Sequence, residues 1–105
     1  MFAIAIIRYR RALDEVLPFV DAHRAYLRRL HAEGTLLASG PLEPRTGGAL
    51  LLHVTDHDVL AALDRVRDGD PYVQAGMAQY ELLPWQPGIG VEALERLVTR
   101  VEGTG

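Results

Sequence analysis

Two residues far apart in the sequence, His23 and Asp70, are the candidates for proton-transfer chemistry. His23 lies in the middle of the apolar side of a predicted helix, where a neutral core would favour leucine. A buried histidine needs a hydrogen-bond partner, and a carboxylate that turns inward supplies one. A neutral imidazole takes up a proton near pH 7, and a nearby carboxylate stabilises the imidazolium that forms. The pair predicts general acid–base catalysis; the alternative is an ordinary helix cap and an unrelated core histidine.

The residues around Asp70 predict a fixed backbone corner. Gly69 is typical of the C′ residue that ends a helix, and Asp70-Pro71 is typical of an N-cap followed by the first helical residue. Gly76 ends the short turn that follows. We expect one carboxylate oxygen to cap this turn while the other faces His23 and fixes its tautomer, without a serine nucleophile.

Three further residues, Ser39, Arg8 and Tyr72, are candidates for binding a substrate. Ser39 ends a predicted strand, where its hydroxyl either contacts a ligand or simply finishes the strand. Arg8 and the neighbouring Tyr9 end the first strand and suit an anionic or phenolic ligand, although a solvated strand end explains them equally well. Tyr72 is expected in the pocket wall or in the core.

The composition excludes several classes of chemistry. The chain has no cysteine, and all eleven basic residues are arginines, so thiolate catalysis, disulfides and side-chain Schiff bases are excluded. A formal net charge of −3 with dispersed arginines argues against nucleic-acid binding. No run approaches the ~20 apolar residues that span a bilayer, and the apolar start has no basic leader. We therefore expect a cytoplasmic protein without a membrane segment.

A cluster near the middle of the chain, His53, Asp56, His57 and Asp58, has the residue types of a metal site. Its spacing straddles a strand end and a helix start, so the side chains need not converge, and the helix start explains the two aspartates. We expect no metal site and no cofactor.

The hydrophobic pattern predicts the element order βαββαβ. Strands are expected at 2–9, 35–39, 49–54 and 77–83, with helices at about 13–33 and from Thr55 or Asp56 to 68. This order is typical of a ferredoxin-like α+β fold, an antiparallel four-stranded sheet with two helices on one face.

Both faces of the first strand are apolar, whereas one layer of helices covers only one face. Phe2, Ile4 and Ile6 alternate with a second set, which is Ala3, Ala5 and Ile7. We expect a second subunit to pack on the face that carries the alanines, which predicts a homodimer. Residues 1–86 are expected to form one domain, and residues 87–105 a linker and a C-terminal amphipathic helix.

Four sequence pieces in this order resemble the YciI-like (YCII-related) family over residues 1–86. They are His23-x-x-Tyr26-Leu27-x-x-Leu30, Gly34-x-Leu36-x-x-Ser39-Gly40-Pro41, Asp70-Pro71-Tyr72-x-x-Ala75-Gly76 and Pro84-Trp85. The resemblance implies a dimeric α+β barrel and an active site built on a histidine and an aspartate, which map onto His23 and Asp70. Proteins of similar fold include lyases and isomerases of small oxygenated rings and some haem-binding monooxygenases. The C-terminal helix and the absence of lysine are departures.

Our leading hypothesis is a small enzyme in which His23 moves a proton and Asp70 orients it. The reaction would be an elimination, isomerisation or hydrolysis of a small polar or ring-shaped metabolite. One alternative is a dimeric ligand-binding or accessory domain in which the pair is structural. Another is a haem- or quinol-binding oxygenase relative in which a histidine binds iron.

Overall fold

A computed structural model describes the backbone of residues 1–104 and the side chains of residues 1–98. Its strands are β1 (Phe2–Tyr9), β2 (Leu36–Pro41), β3 (Gly47–His53) and β4 (Ala78–Trp85). Its helices are α1 (Leu13–Val16), α2 (Val20–Ala32), α3 (Val59–Asp68), α4 (Pro71–Gln74) and α5 (Val91–Thr104). Among the described residues, no helix combines the length and the apolar character that crossing a bilayer requires.

The four strands form one antiparallel sheet in the order β2-β3-β1-β4. In the central strand, Ala5 lies opposite Leu50 of β3 and Leu82 of β4. The predicted ferredoxin-like α+β fold is confirmed. Strands β2 and β4 each extend two residues beyond their predicted ends and include a proline, which edge strands tolerate because one side of the strand needs no ladder hydrogen bonds.

The face of β1 that carries the two alanines packs against the helices. Ala3 and Ala5 are fully buried within one chain and share a core with Leu27 of α2 and Leu63 of α3. The prediction that this face meets a second subunit was therefore wrong. Alternation alone does not say which apolar face the helices cover, and the small alanine side chains are the ones that lie beneath them.

The opposite face of the sheet, which we call the outer face, carries apolar side chains that are only partly covered. Ile4, Ile6 and Leu51 are half-buried, while Leu83 and Trp85 at the end of β4 are exposed. The strand register brings Leu83 and Leu51 to either side of Ile4. The outer face is therefore an apolar surface that this chain covers only in part.

Two helix boundaries differ from the sequence prediction. The first predicted helix is divided by a 3₁₀ turn at Leu17–Phe19, because Pro18 within it has no N–H to donate in a regular helix. The N-cap of α3 is Asp58, whose carboxylate accepts from the Ala61 N–H at 3.0 Å, rather than Thr55 or Asp56. Asp56 instead pairs with Arg65.

Candidate active site

His23 of α2 and Asp70, the residue between α3 and α4, are in direct contact. His23 Nδ1 lies 2.9 Å from Asp70 Oδ1. Asp70 is completely buried, and His23 is 9 % exposed. The fold thus brings together two residues 47 positions apart, and the contact meets the hydrogen-bonding need of a buried histidine.

Asp70 accepts hydrogen bonds through both carboxylate oxygens. Oδ1 accepts from His23 and from the Tyr72 backbone N–H at 2.9 Å, which makes Asp70 the N-cap of α4. Oδ2 accepts from the Tyr80 hydroxyl. The sequence analysis assigned the cap and the histidine to different oxygens, whereas one oxygen serves both and the other binds Tyr80.

This network assigns the tautomer of His23. Because the carboxylate of Asp70 is surrounded by donors, Nδ1 of His23 carries the hydrogen and donates it to Oδ1. The second ring nitrogen, Nε2, is then unprotonated in the neutral imidazole. Among the described side chains, no buried nitrogen or oxygen lacks a hydrogen-bond partner. The hydrogen bond given for the His23 ring is formed by Nδ1, so Nε2 is not one of the fully buried atoms. Nε2 is therefore the atom that His23 presents to the cleft it lines.

Tyr72 holds the imidazole from its face. The two rings stack with centroids 4.0 Å apart and planes within 10° of parallel. Tyr9 meets the Tyr72 ring edge-on at 5.8 Å. Burial, together with the neighbouring Tyr9, raises the pKa of Tyr72 to about 12, so Tyr72 stays neutral at physiological pH.

Tyr80 is a site residue that the sequence analysis missed. Burial and the negative charge of Asp70 raise the pKa of Tyr80, which keeps its hydroxyl protonated and available as a donor. Its position held a usable signal, since Tyr80 lies between Ala78 and Leu82 on the inward face of β4. A buried tyrosine hydroxyl there needs an acceptor.

Gly69 sets how closely α3 approaches α2 beside the pair. A side-chain carbon at position 69 would lie 2.5 Å from the Tyr26 hydroxyl, which donates to the Val66 carbonyl at 2.7 Å. Gly69 has φ −81°, so it is the C-cap of α3 and does not take the left-handed conformation expected of a C′ glycine. Glycine is needed here for the contact with Tyr26.

His23 opens onto a cleft of about 210 Å³ between α2 and strands β1 to β3. This volume is below the roughly 300–1,000 Å³ of pockets for drug-sized ligands, so it suits a small metabolite. The lining residues used below are Tyr9, His23, Arg24, Ser39, Arg45 and Tyr72. A second cleft of about 310 Å³, beside Glu33 and Arg65, does not contain the pair.

Of the three residues that the sequence analysis proposed for substrate binding, two line the cleft and one does not. Ser39 and Tyr72 line the cleft, as expected of binding residues. Arg8 does not, because it alternates with Ile7 and points to the outer face, where its guanidinium lies 3.0 Å from Glu81. The sequence analysis proposed Arg8 for contact with a ligand, whereas the arginines that line the cleft in the described part of the chain are Arg24 and Arg45.

Arg45 and Arg24 are the cations that line the cleft. Arg45, in the loop between β2 and β3, donates from Nε to the Tyr9 hydroxyl at 3.4 Å. Arg24 adjoins His23 on α2 and is exposed. Sequence reasoning missed both, because the position of Arg45 depends on the conformation of its loop and Arg24 has no distinguishing pattern.

The cluster around Asp56 does not form a metal site in the described part of the chain. Asp56 pairs with Arg65, Asp58 caps α3, and no group of three or more potential ligands is placed to share an ion among the described residues.

Comparisons with known proteins agree with this architecture. Residues 1–86 match the family described as the YCII-related domain. The structure is similar to 5-chloro-2-hydroxyhydroquinone dehydrochlorinase (TftG) from Burkholderia phenoliruptrix AC1100, solved in complex with 2,5-dihydroxybenzoquinone. The TM-score is 0.69 at 22% sequence identity, over 84% of this chain and 96% of that chain, which establishes a shared fold. No curated protein matches the sequence.

Proposed function

Because the chain belongs to the YCII-related domain family, we propose that it is a small-molecule enzyme in which His23 is the general base and acid. The observation that carries this proposal is the 2.9 Å contact between His23 Nδ1 and buried Asp70, with Nε2 left for the cleft. The reaction class is elimination or isomerisation of a small oxygenated compound.

The proposed reaction begins when Nε2 of His23 takes a proton from an acidic C–H or O–H group of the substrate. The imidazolium that results keeps its Nδ1–H bond to Asp70, whose negative charge offsets the new positive charge. In an isomerisation, the proton returns to another atom of the substrate. In an elimination, the leaving group departs with its bonding electron pair. A positioned base of this kind contributes about 10²–10⁴-fold to a rate.

The similar solved structure supports the choice of reaction class. Its name describes an enzyme that removes hydrogen chloride from a chlorinated hydroxyhydroquinone, and it was solved with a dihydroxybenzoquinone. Loss of hydrogen chloride is an elimination, and both compounds are small oxygenated rings. We carry this class, rather than the particular substrate, over to the present protein.

We also propose that the protein acts as a homodimer whose subunits meet through the outer face of the sheet. The support is the apolar character of that face, where Ile4, Ile6 and Leu51 are half-buried and Leu83 is exposed. The expected domain limits of 1–86 and 87–105 and the cytoplasmic location stay predictions.

The test is turnover of small oxygenated rings by matched variants. Wild type should catalyse uptake of deuterium from D₂O into small hydroxylated rings, or eliminate a leaving group from their halogenated forms, measured by mass spectrometry. His23→Gln should lower the rate by about 10²–10⁴-fold, and Arg8→Gln, which lies outside the cleft, should not. Equal rates for wild type and His23→Gln would remove His23 from the mechanism.

A further inference from the structure

The charged side chains that line the cleft beside His23 in the described part of the chain are arginines. Arg24 and Arg45 line it, whereas no aspartate or glutamate of the described part of the chain does. We propose that the cleft takes a small organic oxyanion, a carboxylate or an ionised hydroxyl, whose charged oxygen binds the Arg45 guanidinium. This inference rests on the proposed function and specifies its substrate class.

Arg45 has the hydrogen-bonding capacity for this role. Its Nε donates to the Tyr9 hydroxyl, and the Tyr72 side chain is a second phenol beside the guanidinium. A guanidinium has five N–H donors, so further donors are left for a ligand. Arg8 and Arg65, by contrast, are paired with Glu81 and Asp56. The hydrogen bond with Tyr9 also raises the pKa of Arg45, so the guanidinium stays charged. A planar guanidinium matches the two oxygens of a carboxylate.

The wall of the cleft connects Arg45 to the proton-transfer atom. Arg45 contacts the Tyr9 hydroxyl, Tyr9 contacts the Tyr72 ring, and Tyr72 stacks on His23. A planar substrate anchored by its oxygen at Arg45 would therefore lie along two aromatic rings with its other end at His23. The volume of about 210 Å³ limits it to a small molecule.

A cation at this position also assists the proposed chemistry. When His23 removes a proton from a carbon next to an oxygenated group, negative charge develops on that oxygen. A preorganised guanidinium stabilises this charge more than it stabilises a neutral group. Arg45 thus favours substrates whose oxygen is anionic or becomes so during the reaction.

Benzoate and benzamide form a matched pair of probes, because they have nearly the same shape and differ in charge. Binding is followed at pH 8 by NMR titration of the aromatic signals of His23 and Tyr72. Benzoate should bind at least about tenfold more tightly than benzamide, which corresponds to one charge-assisted hydrogen bond. Arg45→Gln should remove this preference and leave benzamide binding unchanged. Arg28→Gln, on the same helix as Arg24 but outside the cleft, is the control.

Two further measurements separate this inference from the proposed function. His23→Gln should keep the preference for benzoate over benzamide while proton transfer is lost. If wild type prefers benzoate but turns over no substrate, the anion-binding inference holds and the proposed function fails. Raising the salt concentration should weaken benzoate but not benzamide binding to wild type, which needs no variant to fold. Equal affinity for the two probes, no benzoate binding at millimolar concentration, or an equal loss in Arg28→Gln would overturn it.

Discussion

The imidazole of His23 and the phenol ring of Tyr72 lie face to face, 4.0 Å apart, and both residues are bonded to the same carboxylate oxygen. His23 reaches Asp70 Oδ1 through Nδ1, and Tyr72 reaches it through its backbone N–H, each at 2.9 Å. The hydrogen bond fixes the direction of the imidazole in its plane, and the stack fixes the plane itself. The orientation of Nε2 therefore depends on both.

We predict that the ring of Tyr72, and not its hydroxyl, controls the orientation of His23. Tyr72→Leu should cost about 0.5–1.5 kcal/mol of stability through the lost ring contact, beyond the change in buried area. It should also broaden the NMR signals of the His23 ring. Tyr72→Phe keeps the ring and should leave those signals sharp. Similar broadening in both variants would assign the effect to the hydroxyl.

The contact between His23 and Asp70 predicts energetic coupling. Asp70→Asn removes the negative charge, and His23→Ala removes the partner, so the double variant should lose less stability than the sum of the single losses. We expect a coupling of roughly 0.5–3 kcal/mol, measured by urea denaturation. The ¹⁵N NMR shifts of the imidazole should show the Nδ1–H tautomer in wild type and less of it in Asp70→Asn. Additive stability losses would contradict the contact.

Alkaline pH should unfold the protein through its buried tyrosines. The pKa of Tyr72 is raised to about 12, and burial and Asp70 raise that of Tyr80, whereas an unfolded tyrosine titrates near 10. Since a raised pKa means that the folded state holds its protons longer, this contribution to stability is complete below about pH 10 and is lost toward pH 12.

The alkaline prediction is checked by tyrosinate absorbance at 295 nm and by urea unfolding between pH 8 and 11. Tyr80→Phe should be less stable at pH 8 by about 1.5–3 kcal/mol, since Asp70 loses a donor. Its stability should then fall less steeply above pH 10 than that of wild type. Reversible titration of all four tyrosines near pH 10 in folded protein would refute the assignment.

The addition of a single methyl group at position 69 should lower the stability of the protein. Gly69→Ala places its Cβ 2.5 Å from the Tyr26 hydroxyl and 2.8 Å from ring carbon Cζ, so we expect a loss of about 1–3 kcal/mol. Backbone strain is not the cause, because φ is −81°. Gly88→Ala, with open space around it, is the matched control. The loss should shrink when Tyr26→Leu is added, and an unchanged loss would argue against a steric origin.

The outer face should form a dimer interface. Sedimentation at micromolar concentration should give about twice the mass of one chain. Leu83→Asp, on the outer face, should shift the protein to monomer by placing a charge in an apolar contact. Leu60→Asp, which alters an exposed leucine of α3, should leave the mass unchanged. A monomeric wild type would contradict this prediction, because the outer face would then be exposed to solvent.

Local sequence patterns predicted the order of the helices and strands and the candidate pair His23 and Asp70, but not the features of the site that depend on packing. Alternation and helical periodicity are properties of residues that are close in the sequence. The need of His23 for a hydrogen-bond partner follows from its burial, whatever surrounds it. The choice between the Ala5 face and the Ile4 face was not predictable, because both faces are apolar. Tyr80 and Arg45 reach the site through strand register and loop conformation, which no short pattern encodes.

The shared oxygen of Asp70 connects the backbone at the start of α4 to the ring of His23. If His23 becomes charged on accepting a proton, its pull on Oδ1 increases, and the Tyr72 amide competes with it for the same atom. The free energy of opening the first turn of α4 is thereby linked to the protonation of a ring on α2. Hydrogen exchange at the Tyr72 amide would thus report, from the backbone, whether His23 is protonated.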